Sequence, residues 1–249
     1  MFTIAPLKLL PYDVAVFQRL SDFFIARDSL EQHRENISAI GQVICSFEME
    51  DNVAVNLLHK HFEIDSDELC VREFADDKAF IKPYKIAEQL GVLPYLWTLA
   101  EGQFGRGFYP LEFVTVSDDE WRKEALFIIE SMNRKEGFLE SIASKLEELK
   151  LFELFGIAAL FSRRPFELDD DASVLETSDE SNRILTLRPE RNTEIKSSET
   201  TQTLWTFNAQ PKRNVSGRSI CGSHCISHCN HCLSHGQPRY TIPANLGEI

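Results

Sequence analysis

Apolar residues along the first half of the chain recur in two different rhythms. Between residues 12 and 27, Val14, Phe17, Leu20 and Phe24 return at helical spacing and predict a helix. Asp28 or Ser29, followed three residues on by Glu31 or Gln32, is a capping signal for a second helix. Its stripe runs through Leu30, His33, Ile37, Ile40, Ile44 and Phe47. His33 interrupts an apolar line there and reads as a partly buried histidine satisfied by a neighbour. Asp51-Asn52 signals a turn, and strand-like runs follow at 53–64, 68–74 and 79–86. Two more, PYLWTLAEG (94–102) and FYPLEFVTV (108–116), flank a glycine-containing loop and predict a hairpin.

The period then lengthens. Ser117 with Glu120 has the form of a capping box, and a helix is expected over about 118–134 with Trp121, Leu126, Ile128 and Ile129 as its apolar content. Gly137 breaks it, and a further helix is expected over 138–150. GIAALFS (156–162) fits strand or helix, whereas RILTLRP (183–189) and TLWTFN (203–208) read as strands. The acidic run from Glu167 to Glu180 contains no lysine or arginine and reads as a solvated loop. The expected fold is α+β: an antiparallel β-meander with about four helices packed on one face. It occupies residues 1–210, and an irregular Cys/His-rich tail fills 211–249.

Composition adds exclusions. The chain has 249 residues, is 43% hydrophobic and carries a formal net charge of −13. That is ample apolar content for a core. An acidic field does not draw in nucleic acid or anionic membrane. No apolar stretch approaches the ~18 residues of a membrane span. The N-terminal MFTIAPLKLLPYDVAVF lacks the three regions of a secretory signal, so a cytoplasmic, or nuclear, location with reduced thiols is expected.

The most distinctive chemistry lies in the tail. CGSHCISHCNHCLSHG (221–236) contains Cys221, His224, Cys225, His228, Cys229, His231, Cys232 and His235. Thiolate and imidazole bind Zn²⁺ or Cu⁺, and the intervening glycine, serine and asparagine favour turns. With so few apolar residues, an ion would have to supply the folding energy of this segment. The spacing is not that of a C₂H₂ finger or a haem attachment motif. C-x₃-C-x₂-C does occur, as in radical-SAM enzymes, but too near the end of the chain for the barrel that follows the triplet there. Disulfides, or an inert tail, are the competing readings.

A second candidate lies in VAVNLLHKHFEI. If this run is a strand, Val53, Val55, Leu57, His59 and His61 share one face. An H-x-H pair on a strand can offer two cis ligands, as in cupin barrels, although the glutamate and glycines of that motif are absent. Glu63 or Glu112 is the expected third ligand or proton carrier, and Arg72 is a possible partner for Glu112. Cys45 and Cys70 read as core thiols. Three functions are expected. One is a metal-binding protein, zinc first, whose tail serves structure or a protein partner. Another is a metal-dependent enzyme acting on a small molecule through His59, His61 and Glu112. The third is metal storage or delivery, with the tail as a labile copper or zinc ligand set.

Overall fold

The computed structural model describes residues 6–75, 77–88, 91–116, 118–161, 172–195, 200–208, 223–226 and 240–241. Five helices form among them: α1 (Val14–Gln18), α2 (Phe23–His33), α3 (Ile37–Ser46), α4 (Asp119–Arg134) and α5 (Phe138–Glu148). The strands are β1 (Val53–Leu57), β2 (Glu68–Ala75), β3 (Lys78–Lys85), β4 (Leu93–Gly102), β5 (Gly105–Val114), β6 (Phe155–Ala159), β7 (Ala172–Asp179), β8 (Ile184–Arg191), β9 (Thr200–Gln202), β10 (Leu204–Trp205), β11 (Phe207–Asn208), β12 (Ser223–Ile226) and β13 (Tyr240–Thr241). The fold is α+β. Among the described residues no helix is long and apolar enough to cross a membrane.

The first expected helix is interrupted. α1 ends at Gln18, and α2 starts at Phe23 rather than at Asp28 or Ser29. The break lets Asp22 bridge Lys60 in parallel, and the Lys60 amide donates to Ser21 O at 3.0 Å. Asp13 caps α1, accepting from the Ala15 amide at 3.0 Å, and also accepts from the Gln103 amide at 2.9 Å. One carboxylate thus ties a helix start, a cap of roughly 1 kcal/mol, to the β4–β5 turn. At α4 the cap is Asp118, accepting from the Trp121 amide at 2.8 Å, one residue beyond the Ser117 expected.

Among the described residues the main sheet has eleven strands in the order β10-β1-β6-β4-β5-β2-β3-β8-β7-β12-β9. It is mixed, because β2 pairs with β5 and β7 with β12 in parallel, which corrects the expected antiparallel meander. The meander fails because β6 returns after α4 and α5 and inserts between β1 and β4. Every residue of β6 is buried, as in a strand covered on both faces. The β4–β5 hairpin forms as expected, with Gly105 at a φ of +89° in its turn.

The two ends of the strand order are β10 and β9, separated in sequence by Thr203 alone. One extended segment, 200–205, therefore borders β12 on one side and β1 on the other, and the sheet curls into a ring. A single apolar cluster fills its interior. It draws Ala54, Cys70, Ile81, Leu96, Tyr109, Ala158, Val174, Leu187 and Leu204 from around that ring. The alternate residues Val53, Val55 and Leu57 join α2 to α5 in a second cluster outside, with Trp97, Phe155, Trp205 and Phe207. Helices α2–α5 all contribute to that outer cluster. The short α1 contributes Val16 and Phe17 to the interior cluster instead.

The acidic run corrects a further expectation. Residues 172–179 are strand β7, not loop. Ala172, Val174 and Glu176 in it are buried, and residues 162–171 lie outside the described part of the chain.

Candidate metal centre

β1 ends at Leu57, earlier than the run to residue 64 suggests. Its last amides are taken by other partners: Leu57 donates to Thr203 O at 2.8 Å and Leu58 to Leu154 O at 2.9 Å. The parity argument for His59 and His61 therefore fails, since both lie past the strand. They converge by another route. The chain turns after Leu58, and the Asp22–Lys60 bridge holds the turn against the start of α2. Phe23, buried at that start, meets His59 edge-on with centroids 5.2 Å apart and stacks on His61 at 6.3 Å.

The two imidazoles touch through nitrogen, with His59 Nε2 3.0 Å from His61 Nε2. His59 Nδ1 lies 2.9 Å from Leu57 O. A carbonyl can only accept, so Nδ1 carries the proton and Nε2 carries a lone pair. His61 Nδ1 lies 2.6 Å from Ser178 Oγ, a group that can donate or accept. Burial pushes the His59 pKa down to about 4, against a smaller upward pull from the Leu57 carbonyl. Burial and the neighbouring His59 hold His61 well below the ordinary imidazole range. Both rings are neutral at pH 7, the form that binds metals.

The third group is Glu176 of β7, only 6% exposed. Its carboxylate and one nitrogen of each histidine lie within 4.8 Å of one another. Thr203 Oγ1 donates to Glu176 Oε2 at 3.5 Å, so the residue that links the two ends of the sheet also touches this carboxylate. For metal–nitrogen bonds of about 2.1 Å, nitrogens 3.0 Å apart subtend about 90° at an ion. That is the cis angle of an octahedral site. Opening by about 0.4 Å gives the tetrahedral angle preferred by zinc. Two imidazoles and a carboxylate suit Zn²⁺ or Fe²⁺ better than the soft Cu⁺.

Neither carboxylate expected from the sequence joins the histidines. Glu63 is exposed and pairs with Lys60 at 2.6 Å. Glu112 lies in β5 and meets Arg72 Nη2 at 3.3 Å. Burial raises the Glu112 pKa, and Arg72 opposes that shift. The Arg72 guanidinium lies 4.2 Å from the centroid of Tyr95, and both feel the charge of Glu176 as well as that of Glu112. A second buried polar group therefore adjoins the first. Arg72 Nε is buried and has no hydrogen-bond partner among the described residues.

Glu176 was hidden in the sequence by its acidic neighbours. The usable signal was alternation: in ASVLETSD, Val174, Glu176 and Ser178 share parity, and Val174 belongs to the interior cluster. Of the tail candidates, His224 and Cys225 lie in β12. Cys221, His228, Cys229, His231, Cys232 and His235 lie outside the described residues. Cys45 is partly buried and Cys70 buried, both as free thiols. No family model matches the chain, and no curated protein or solved structure shows significant similarity to it.

Proposed function

We propose that the protein binds a divalent transition metal, zinc foremost, through His59, His61 and Glu176, and that the ion fastens the seam where the curled sheet meets itself. The observation that carries this reading is the convergence of two neutral imidazoles, 3.0 Å apart at Nε2, on a buried carboxylate. His59 is already in the required tautomer, fixed by the Leu57 carbonyl. Without an ion, His61 Nε2–H donates to His59 Nε2, and Ser178 donates to His61 Nδ1. With an ion, the proton of His61 moves to Nδ1 and is donated to Ser178 Oγ. Ser178 accommodates both states because a hydroxyl plays either role. Such partners orient metal-bound histidine and raise its basicity.

The ion would hold together the turn after β1 and strand β7, two segments far apart in sequence. The test is elemental analysis of the full chain beside a His59→Ala/His61→Ala variant, both loaded with zinc and desalted. The variant is expected to carry about one equivalent less than the parent, whatever the tail binds in addition. Equal zinc in both proteins overturns the reading.

Arg72 favours a second reading, in which the centre acts on a small molecule. Three protein ligands leave a coordination position open, as catalytic zinc sites do. A buried guanidinium beside Glu176, with Nε unpartnered, is suited to an anionic substrate group. In that case Glu112 positions Arg72 rather than carrying a proton. Binding of small carboxylates to the zinc-loaded protein, lost in Arg72→Met, separates this reading from a purely structural ion.

A further inference from the structure

The charges inside the curled sheet do not balance once an ion is bound. Glu176 of β7 is in register with Leu187 of β8, Leu187 with Ala79 of β3, and Ala79 with Phe74 of β2. Residues in register on neighbouring strands share a face, so this row crosses four strands. Arg72 stands on the same face of β2, two residues before Phe74. Leu187 and Ala79 belong to the interior cluster, as does Cys70, which has the parity of Arg72. Arg72 and Glu176 therefore both face the interior of the ring, with apolar side chains between them.

With His59 and His61 neutral, the one cation Arg72 stands among two carboxylates, Glu112 and Glu176. Glu68, also buried, is matched by Arg183 at 2.7 Å. A divalent ion at the triad turns an excess of one negative charge into an excess of one positive charge. Uncompensated charge is costly in a low-dielectric interior, and one monoanion removes it. The places for that anion are on hand. Three protein ligands leave a metal position open. Arg72 Nε is buried with no hydrogen-bond partner among the described residues, while Glu112 and the Tyr95 ring, 4.2 Å away, hold the guanidinium in place.

We propose that the centre takes up its ion together with one small oxyanion of single charge, a carboxylate or bicarbonate, which gives one oxygen to the open metal position and another to Arg72 Nε–H. The inference rests on the metal reading of the triad. It adds that the anion is part of how the ion is held, whether or not it is also a substrate. A bare ion is repelled by Arg72, whereas an anion between the two cations is attracted to both. Metal and anion then strengthen each other's binding by the same factor.

The test uses the full chain with Cys221→Ser, Cys225→Ser, Cys229→Ser and Cys232→Ser, so that tail thiolates take no zinc. Zinc affinity is measured by competition with a chromophoric chelator as sodium formate replaces sodium perchlorate at constant ionic strength. Above the dissociation constant of formate, each tenfold rise in formate is expected to tighten zinc about tenfold, the slope for one anion per ion. Arg72→Met should lose this dependence. Glu112→Gln leaves the metal-bound cluster more positive, so it should keep the dependence and show it at lower formate. Affinity independent of formate, with zinc still lost in His59→Ala/His61→Ala, means that water holds the open position; the inference falls and the triad stands. An equal dependence in the parent and Arg72→Met, or a Glu112→Gln response shifted to higher formate, also overturns it. Zinc bound equally by the parent and the histidine variant overturns the triad itself.

Discussion

Ser178 Oγ lies 2.6 Å from His61 Nδ1, on the far side of the ring from the nitrogen that faces His59. The hydroxyl is two residues beyond Glu176 on β7, so one strand supplies both the carboxylate and the group that orients the second imidazole. Replacing Ser178 by alanine removes the acceptor for the Nδ1 proton of a metal-bound His61. Zinc affinity, measured by competition with a chromophoric chelator, is expected to fall by about 10–100-fold, the usual effect of losing such a partner. Unchanged affinity would show that His61 does not ligate through Nε2.

Acid should weaken the fold through the same pair. The His59 pKa is lowered to about 4, and that of His61 is lowered too, whereas imidazoles in the unfolded chain titrate near 6.5. Below pH 6.5 the unfolded chain therefore binds more protons, so stability falls as pH drops from there towards 4. Each depressed histidine contributes up to about 1.4 kcal/mol per pH unit across that window. Urea denaturation of the metal-free protein at pH 7 and pH 5 is expected to show a larger loss for the parent than for His59→Gln/His61→Gln. Equal losses would contradict the buried neutral pair.

Glu112 belongs to a buried ion pair and lies outside the His59–His61–Glu176 group. Its carboxylate and Arg72 Nη2 lie 3.3 Å apart with side chains 18% and 14% exposed. Breaking such a pair leaves a buried charge behind, at roughly 3 kcal/mol or more. Glu112→Ala is expected to lose about that much stability by chemical denaturation. The milder Glu112→Gln should keep its full zinc content. Loss of zinc in Glu112→Gln would return Glu112 to the ligand set.

Gly41 in α3 admits the ring of Phe207, which follows the segment that closes the sheet. A Cβ at Gly41 would overlap the ring of Phe207, and Phe207 is fully buried. Gly41→Ala is expected to destabilise the protein by about 1–3 kcal/mol, as overpacking does. Gly41→Ala combined with Phe207→Leu should recover part of that loss. A neutral Gly41→Ala would mean that 200–208 docks elsewhere.

The sequence carried the local part of this fold well and the long-range part poorly. α5 and the β4–β5 hairpin are legible because their signals sit in adjacent residues: an apolar stripe, a breaking Gly137, and glycines between two β-rich runs. Closure of the sheet is not legible, because it depends on a segment near residue 203 bordering both β1 and β12. No local pattern encodes that pairing. The parity argument that singles out the histidines does not hold, since β1 stops at Leu57 and a turn, not alternation, brings them together. Glu176 is not legible, because a carboxylate among carboxylates reads as solvated surface. What distinguishes it is burial, a property of the folded sheet.

The most direct test of the centre is anomalous diffraction at the zinc edge from crystals of the full chain grown with zinc. The expected result is a peak about 2.1 Å from the Nε2 atoms of both His59 and His61 and at bonding distance from a Glu176 oxygen, with His61 Nδ1 still against Ser178. Zinc found elsewhere in the crystal, with no peak between these three side chains and the two imidazoles still in direct contact, would contradict it.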